Sequence, residues 1–364
     1  MGVPIHSEGG SETGDFAAPR KRPARRPARK KYGVFTPLVD APRNVSRYLR
    51  ANYSWHDWEA NSRSAELLAH RWTGSLVPRA WRAHYLNSLE LPRSDQPVVS
   101  VVIPTYGQFA LTARCLRSIM KHPPAVAVEV IVLEDCSGDR LTGALACVPG
   151  LRYEENPENL GFLRSCNRAA SLVRGQYLHL LNNDTEVTKD WLDALLDVFR
   201  RFPDCGLAGS KLVFPDGRLQ EAGGIVFNDA TTCSYGRWDD PGKPEYNHLR
   251  DADYISGASI LLPLALWTQL GGFDESYAPA YYEDTDLAFR VRQAGFRVIY
   301  QPASTVIHHW GATLGIDGDS PAAAQSATNQ QRMRQKWQSV LETHHSPADA
   351  APLTGADRGA SQAR

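Results

Sequence analysis

Paired cysteines and long apolar runs are both scarce in this 364-residue chain. Its six cysteines (Cys115, Cys136, Cys147, Cys166, Cys205 and Cys233) include no C-x-x-C pair. That argues against a structural zinc site or a disulfide scaffold and fits a reducing compartment. The longest greasy stretch, residues 255–267, is broken by Pro263 and falls short of the roughly 20 apolar residues a membrane span needs. The N-terminus has no apolar signal core, so a cytoplasmic location is expected. Net charge is missing too, because 40 Lys+Arg balance 40 Asp+Glu. Three catalytic signatures are absent: G-x-G-x-x-G after a first strand, a Walker A loop, and G-x-S-x-G. Dinucleotide-dependent oxidoreduction, P-loop phosphotransfer and α/β-hydrolase chemistry are therefore disfavoured.

The balanced charge is unevenly spread. Residues 20–31 hold eight basic side chains and no acidic one, which leaves the remainder mildly acidic. Residues 1–31 lack apolar periodicity and read as a disordered basic arm. Pro23 and Pro27 oppose a continuous amphipathic helix. With no interleaved aromatics, nucleic-acid readout has no support. Weak, salt-sensitive contact with an anionic membrane, at the inner face, is the use such an arm would have, and a plain solubilising tail is the alternative. Residues 32–95, with Trp55, Trp58, Trp72 and Trp81 among helix-favouring residues, read as a mostly helical extension. Residues 96–338 read as the catalytic domain, and residues 339–364 as a disordered Ala/Pro/Asp-rich tail.

At Val98 the texture changes. The run VVSVVI is almost wholly β-branched and ends at Pro104, the look of a strand buried on both faces. Leu111, Cys115, Leu116 and Ile119 follow at helical spacing. Further strands are expected over residues 128–133 and 177–181. Helices are expected through Leu163, Cys166, Ala170 and Val173, and over residues 191–199. This alternation predicts an α/β, doubly wound, mostly parallel, Rossmann-like sheet with its ligand at the edge where the strands end. Beyond Gly206 the pattern is less regular until a helix beginning near Glu283.

The residues just after the predicted strands are polar: Pro104-Thr105-Tyr106, then Glu134-Asp135-Cys136-Ser137, then Asn182-Asn183-Asp184-Thr185. Such a rim suits a hydroxyl-rich ligand or a hard cation. Turn formation and helix capping account equally well for any one of these loops taken alone.

Six segments in order, VSVVIPTY, EVIVLEDCSGD, NPENLGFLRSCNRAA, YLHLLNNDTEV, GGFDESYAPAYYEDTDLAFRVRQAGFRV and VIHHWGATLG, closely resemble the family 2 glycosyltransferases of GT-A fold, in particular bacterial cell-surface polysaccharide transferases. The likeness runs from about Val98 to Thr313, and residues 329–337 look like a family C-terminal helix. The resemblance implies that Pro104, Thr105 and Tyr106 line the nucleotide pocket, with Tyr106 near the base. It implies that Glu134 or Asp135, where the family usually has Asp first, contacts the base or ribose. Asn182-Asn183-Asp184 occupies the place of the D-x-D metal motif with an amide first, leaving Asp184 as the direct metal contact. His308 matches a family His that completes the metal shell or touches the diphosphate; an ordinary structural His is the alternative. Asn159, Gly161, Arg164 and Asn167 fall where the family holds the diphosphate and donor, and Ser256-Gly257-Ala258 where it forms a floor beneath the sugar.

Tyr282-Glu283-Asp284 matches the segment that bears the catalytic base. Asp284 is the expected base and Glu283 its neighbour, unless both merely complement the dipole at a helix start. An inverting transfer needs only one such carboxylate, because Mg²⁺ or Mn²⁺ on the diphosphate serves the leaving group. The Q-x-x-R-W motif of processive synthases is absent, so single addition is expected. The resemblance thus implies a metal-dependent hexosyl- or deoxyhexosyltransferase. It would move a sugar from a UDP- or dTDP-linked donor to a saccharide or lipid-linked acceptor, as in O-antigen, capsule or cell-wall glycan synthesis. A non-catalytic sugar-nucleotide or glycan-binding module on the same fold is the main alternative, and a metal-dependent nucleotidyltransferase a more distant one.

Overall fold

The computed structural model describes residue 86, residues 88–309 and residues 321–349. The expected basic arm, nearly all of the expected N-terminal extension, and residues 350–364 lie outside the described residues.

A ten-stranded sheet organises what is described. Its first strand, β1 (Val99–Thr105), is buried along all seven residues. Val101 and Ile103 join one apolar cluster while Val102 joins the other. That division explains the unbroken β-branched run, because both faces of the strand are covered. In β2 (Val128–Glu134) the same alternation sends Val130 and Val132 one way, Ile131 and Leu133 the other. Helix α1 (Phe109–Lys121) follows β1, and the short α2 (Arg140–Gly143) follows β2. Next come β3 (Leu151–Glu155), helix α3 (Gly161–Ala169), β4 (Tyr177–Leu181), β5 (Thr185–Val187) and helix α4 (Trp191–Arg201). Helices α1 and α4 cover one face, with Leu116, Ile119, Leu192 and Leu195 inward. The other face receives Leu163, Cys166 and Ala169 of α3. Helices on both faces make the sheet doubly wound, as the sequence pattern requires.

The second half is more regular than its sequence reads. Strand β6 (Cys205–Val213) is buried over all nine residues. Short strands β7 (Leu219–Glu221), β8 (Gly224–Val226), β9 (Thr232–Ser234) and β10 (Arg250–Asp251) follow. Then come β11 (Ser259–Pro263), helix α5 (Leu264–Leu270), helix α6 (Glu283–Gln293) and β12 (Arg297–His308). Gly206 and Gly209 hide β6 by resembling turn residues. In fact a Cβ on Gly209 would lie 2.0 Å from Ile255 Cγ2, and one on Gly206 2.6 Å from Phe296 Cβ. Close packing, not a turn, is what demands glycine there. Helix α7 (Pro321–Lys336) and the turn of helix α8 (Gln338–Leu341) end the regular structure. Buried Met333 and Trp337 pack into the α3/α6 face.

Register decides where the chemistry lies. Strands β1, β2, β3 and β4 run parallel to one another, and β6 runs parallel to β12. Strand β11 lies antiparallel between β4 and β6, with Ser259 opposite Leu181. The far ends of β1, β2, β4, β6 and β12 and the near end of β11 therefore share one edge.

Candidate active site

Along that edge the loops are tied to one another by their own polar groups. Glu134 is buried at the end of β2, where its carboxylate accepts from Gly107 N (3.2 Å) and Ser137 N (3.1 Å). It thus sets the loop that leaves Tyr106 half exposed, at 51%. Asp135 accepts from Asn156 Nδ2 (2.7 Å), Leu160 N (2.8 Å) and Gly161 N (2.8 Å) and so satisfies orphan donors at the start of α3. Asn159 Oδ1 reaches the same Gly161 N at 3.1 Å. Thr105 and Thr112 hydroxyls receive Asn183 Nδ2 at 3.0 and 3.2 Å, locking the end of β4 to β1 and α1. Two residues on α3 have partners of their own. Arg164 pairs with Glu275 at 3.0 Å on the surface, and Asn167 holds the Phe273 backbone through both amide atoms (2.8 and 2.9 Å).

One end of the edge is built around Asp184. Its Oδ1 lies 3.3 Å from His308 Nε2, and its carbonyl accepts from His309 N at 2.9 Å. Both side chains are buried. Burial pushes the Asp184 carboxyl up, yet the adjacent His308 and His309 outweigh it and hold the carboxyl below its usual value. His309 is turned aside, with Nε2 2.9 Å from Glu186 Oε1.

A divalent cation fits this end. Neighbouring ligands at about 2.1 Å around an octahedral ion stand about 3 Å apart, close to the observed 3.3 Å. Asn182 Oδ1 in the same turn is a buried acceptor without a partner. Among the described residues no three His, Cys, Asp or Glu side chains form a metal-holding group. Two protein ligands with the rest from phosphate and water is the usual arrangement for Mg²⁺.

The other end is built around Asp284, at the start of α6. Its Oδ2 accepts from Gly257 N (2.9 Å) and its Oδ1 from Thr285 N (2.7 Å). Burial raises this carboxyl, and these donors pull it back only in part. Glu283 beside it is raised as well, first by burial and then by the Asp284 charge, and its Oε2 has no partner. The preceding Tyr281 and Tyr282 hold positive φ angles of 76° and 70°. Conformations this sparsely populated persist only when the surroundings over-determine them. Here Asn329 of α7 donates Nδ2 to the carbonyls of Tyr277, Ala280 and Tyr281 at 2.7–3.0 Å. A Cβ on Gly257 would meet Asp284 only at an ordinary 3.6 Å, so the protein alone does not require glycine there.

The two ends meet through residues 256–258. Asn182 N donates to Ala258 O (3.0 Å) while Gly257 N donates to Asp284. Strand β7, which sequence reasoning passed over, joins them a second time. Gln220 Oε1 lies 3.1 Å from His308 Nδ1, and the next residue, Glu221, accepts from Ser256 N at 3.0 Å and Ser234 Oγ at 3.0 Å. Burial pushes the Glu221 carboxyl up to about 7. The dipeptide carries no motif, and only the pairing of β7 with β6 brings it to the site.

A cavity of about 580 Å³ opens at the opposite edge of the sheet, lined by Arg93, Glu129, Arg152 and Arg174 among others. There Glu129 pairs with Arg174 at 2.8 Å and with Arg152 at 3.4 Å. The ligand chemistry converges at the strand ends instead, as expected for an open α/β sheet.

Known proteins resemble this chain in sequence and fold. Residues 100–243 match the family model described as "Glycosyl transferase family 2". An O-antigen biosynthesis protein of Myxococcus xanthus, RfbC, is 28% identical over 67% of this chain and 19% of its own length. The N-acetylglucosaminyl-diphospho-decaprenol L-rhamnosyltransferase of Mycobacterium tuberculosis is 26% identical over 62% of this chain and 81% of its own. The chain spans about a fifth to a third of the length of the first curated relatives it matches. A crystal structure of GalNAc-T7 with UDP, GalNAc and Mn²⁺ superposes with a TM-score of 0.55, covering 73% of this chain and 59% of that one at 15% identity. The fold is the GT-A fold of such transferases, with a mostly parallel sheet.

Proposed function

We propose, from the match of residues 100–243 to the glycosyl transferase family 2 model, that this chain transfers one sugar, with inversion, from a UDP- or dTDP-linked donor to a saccharide or lipid-linked acceptor. The sugar is a hexosyl or deoxyhexosyl group, and the product belongs to a cell-surface glycan. The names of the relatives, one in O-antigen biosynthesis and one a rhamnosyltransferase, support that context. The observation that carries the proposal is the shared 256–258 segment, which Asn182 contacts from one side and Asp284 from the other.

In this reading Asp184 and His308 hold Mg²⁺ or Mn²⁺, which supplies Lewis-acid neutralisation of charge on the departing diphosphate. Tyr106 offers its exposed ring to the nucleobase, and Glu134 presents it by fixing the Gly107 turn. Pro104 and Thr105 line the same pocket. Asn159 and Gly161, at the start of α3, are assigned to the diphosphate side of the pocket by the family resemblance alone, since Asp135 already takes the Leu160 and Gly161 N–H groups. Ser256 and Gly257 form the floor under the sugar, leaving the acceptor hydroxyl to approach Asp284. Asp284 accepts that proton as the oxygen attacks the anomeric carbon from the face opposite the diphosphate. Its raised proton affinity suits a base, and Gly257 N and Thr285 N hold its orientation. The basic arm at residues 20–31 would bring the protein to an anionic leaflet carrying lipid-linked acceptors.

The test is nucleoside diphosphate release from a panel of UDP- and dTDP-sugars with candidate acceptors, with Mn²⁺ or with EDTA, followed by the anomeric configuration of the product. Metal-dependent release with an inverted product is expected. Tight nucleotide binding without turnover on any donor would instead mark a binding module.

A further inference from the structure

We propose that Gln220 is a positioning residue that keeps the proton of His308 on Nδ1 and so leaves the Nε2 lone pair for a cation bound between His308 and Asp184. This inference rests on the reading of Asp184 and His308 as holders of a divalent cation. His308 Nδ1 lies 3.1 Å from Gln220 Oε1, and Nε2 lies 3.3 Å from Asp184 Oδ1. Gln220 and His308 are 4% and 6% exposed, so water does not compete freely for either ring nitrogen. A neutral imidazole carries one N–H and one lone pair, and the partner of one nitrogen decides what the other offers. An amide oxygen only accepts, so Nδ1 keeps its proton and donates it to Gln220. Nε2 is then the nitrogen left for a cation shared with Asp184. Rotating the amide to present its NH₂ group would reverse the ring, put N–H on Nε2 and close the site.

Position in the chain reinforces the argument. Gln220 sits in β7 beside Glu221, which holds Ser256 N next to the Gly257 N that holds Asp284. One three-residue strand thereby fixes the ring at the cation end and the floor at the base end. Partners of this kind around a metal-ligating His are worth about 10–100-fold in metal affinity.

The experiment is Mn²⁺ titration of the full chain by electron paramagnetic resonance, with UDP or dTDP present. Electron spin-echo modulation of the bound ion reads imidazole nitrogen coupling directly. We expect wild type and Gln220→Glu to bind Mn²⁺ with imidazole coupling. Gln220→Met, similar in length but without the acceptor, should bind about 10–100-fold more weakly and lose the coupling. Should Gln220→Met fail to fold, Gln220→Asn, which withdraws the oxygen by one methylene, should show the same loss in smaller degree. Unchanged affinity and coupling in whichever of these two variants folds overturns the role of Gln220. Mn²⁺ bound to wild type without imidazole coupling, or not bound at all, overturns the cation reading of His308 itself, a different failure visible before any variant is made.

Discussion

Asp184, buried, and Asp284, partly exposed, stand on one sheet edge, and each loop touches the same three-residue segment, through Asn182 N in one case and Asp284 itself in the other, yet their surroundings pull in opposite directions. Two histidines hold Asp184 charged, with its carboxyl below the usual range. Among the described residues Asp284 has no cationic neighbour of that kind, and loss of hydration raises its carboxyl. In the proposed function, environment alone divides the work between two identical side chains. The first is suited to keeping a cation, the second to taking a proton.

The largest expected effect breaks the comparison at its basic end. Asp284→Asn should lower kcat by about 10²–10⁴-fold, the usual worth of a general base, while donor affinity measured by calorimetry stays near wild type. Asp184→Asn should cost about 10²–10³-fold in turnover, the worth of an electrostatic stabiliser. Here the loss should shrink as Mn²⁺ is raised, whereas added Mn²⁺ leaves Asp284→Asn unchanged. Tyr106→Ala sharpens the comparison by touching neither end. It should raise the donor KM about tenfold, in line with stacking of about 1–3 kcal/mol per base, with kcat preserved.

The smallest effect concerns pH. Glu221 has a folded value of about 7 against an ordinary 4.5, so the folded state holds its proton more tightly than the unfolded one. Stability contributed by that proton is full below about pH 4.5 and is lost as pH rises toward 7. Glu221→Gln, which keeps an acceptor for Ser256 N, should flatten that decline in thermal unfolding curves recorded across the window.

The first half of the fold was legible because its strands are apolar on both faces and its helices carry regular stripes. Strands β1, β2 and β4 fall where apolar runs end near Pro104, Glu134 and Asn182, the first two β-branched and the third Leu-rich, whereas β3, LRYEE and only half buried, was not expected. The second half hid behind its glycines. Gly206 and Gly209 read as turns because sequence does not show that Ile255 and Phe296 press against them. Helix α3 stops at Ala169, so Val173 lies beyond the helix its spacing predicted.

That Asp184, His308 and Asp284 lie on this edge was legible from motifs because each sits beside a strand end or a helix start. Gln220, Glu221 and Asn329 were not legible in this way. Each reaches the site through a long-range contact, and nothing local in QE or in a helical Asn announces it. The family resemblance makes Asn167 a donor contact, while in the structure both its amide atoms are engaged by the Phe273 backbone.

Calorimetric binding of UDP or dTDP to wild type, Asp184→Asn and Asp284→Asn, each with Mn²⁺ and with EDTA, tests the division of labour most directly when paired with a transfer assay on the same samples. Asp184→Asn should lose the Mn²⁺-dependent part of nucleotide affinity. Asp284→Asn should retain it in full while transferring no sugar. Sugar transfer at the wild-type rate by Asp284→Asn, or Mn²⁺-dependent binding that survives intact in Asp184→Asn, would contradict the account.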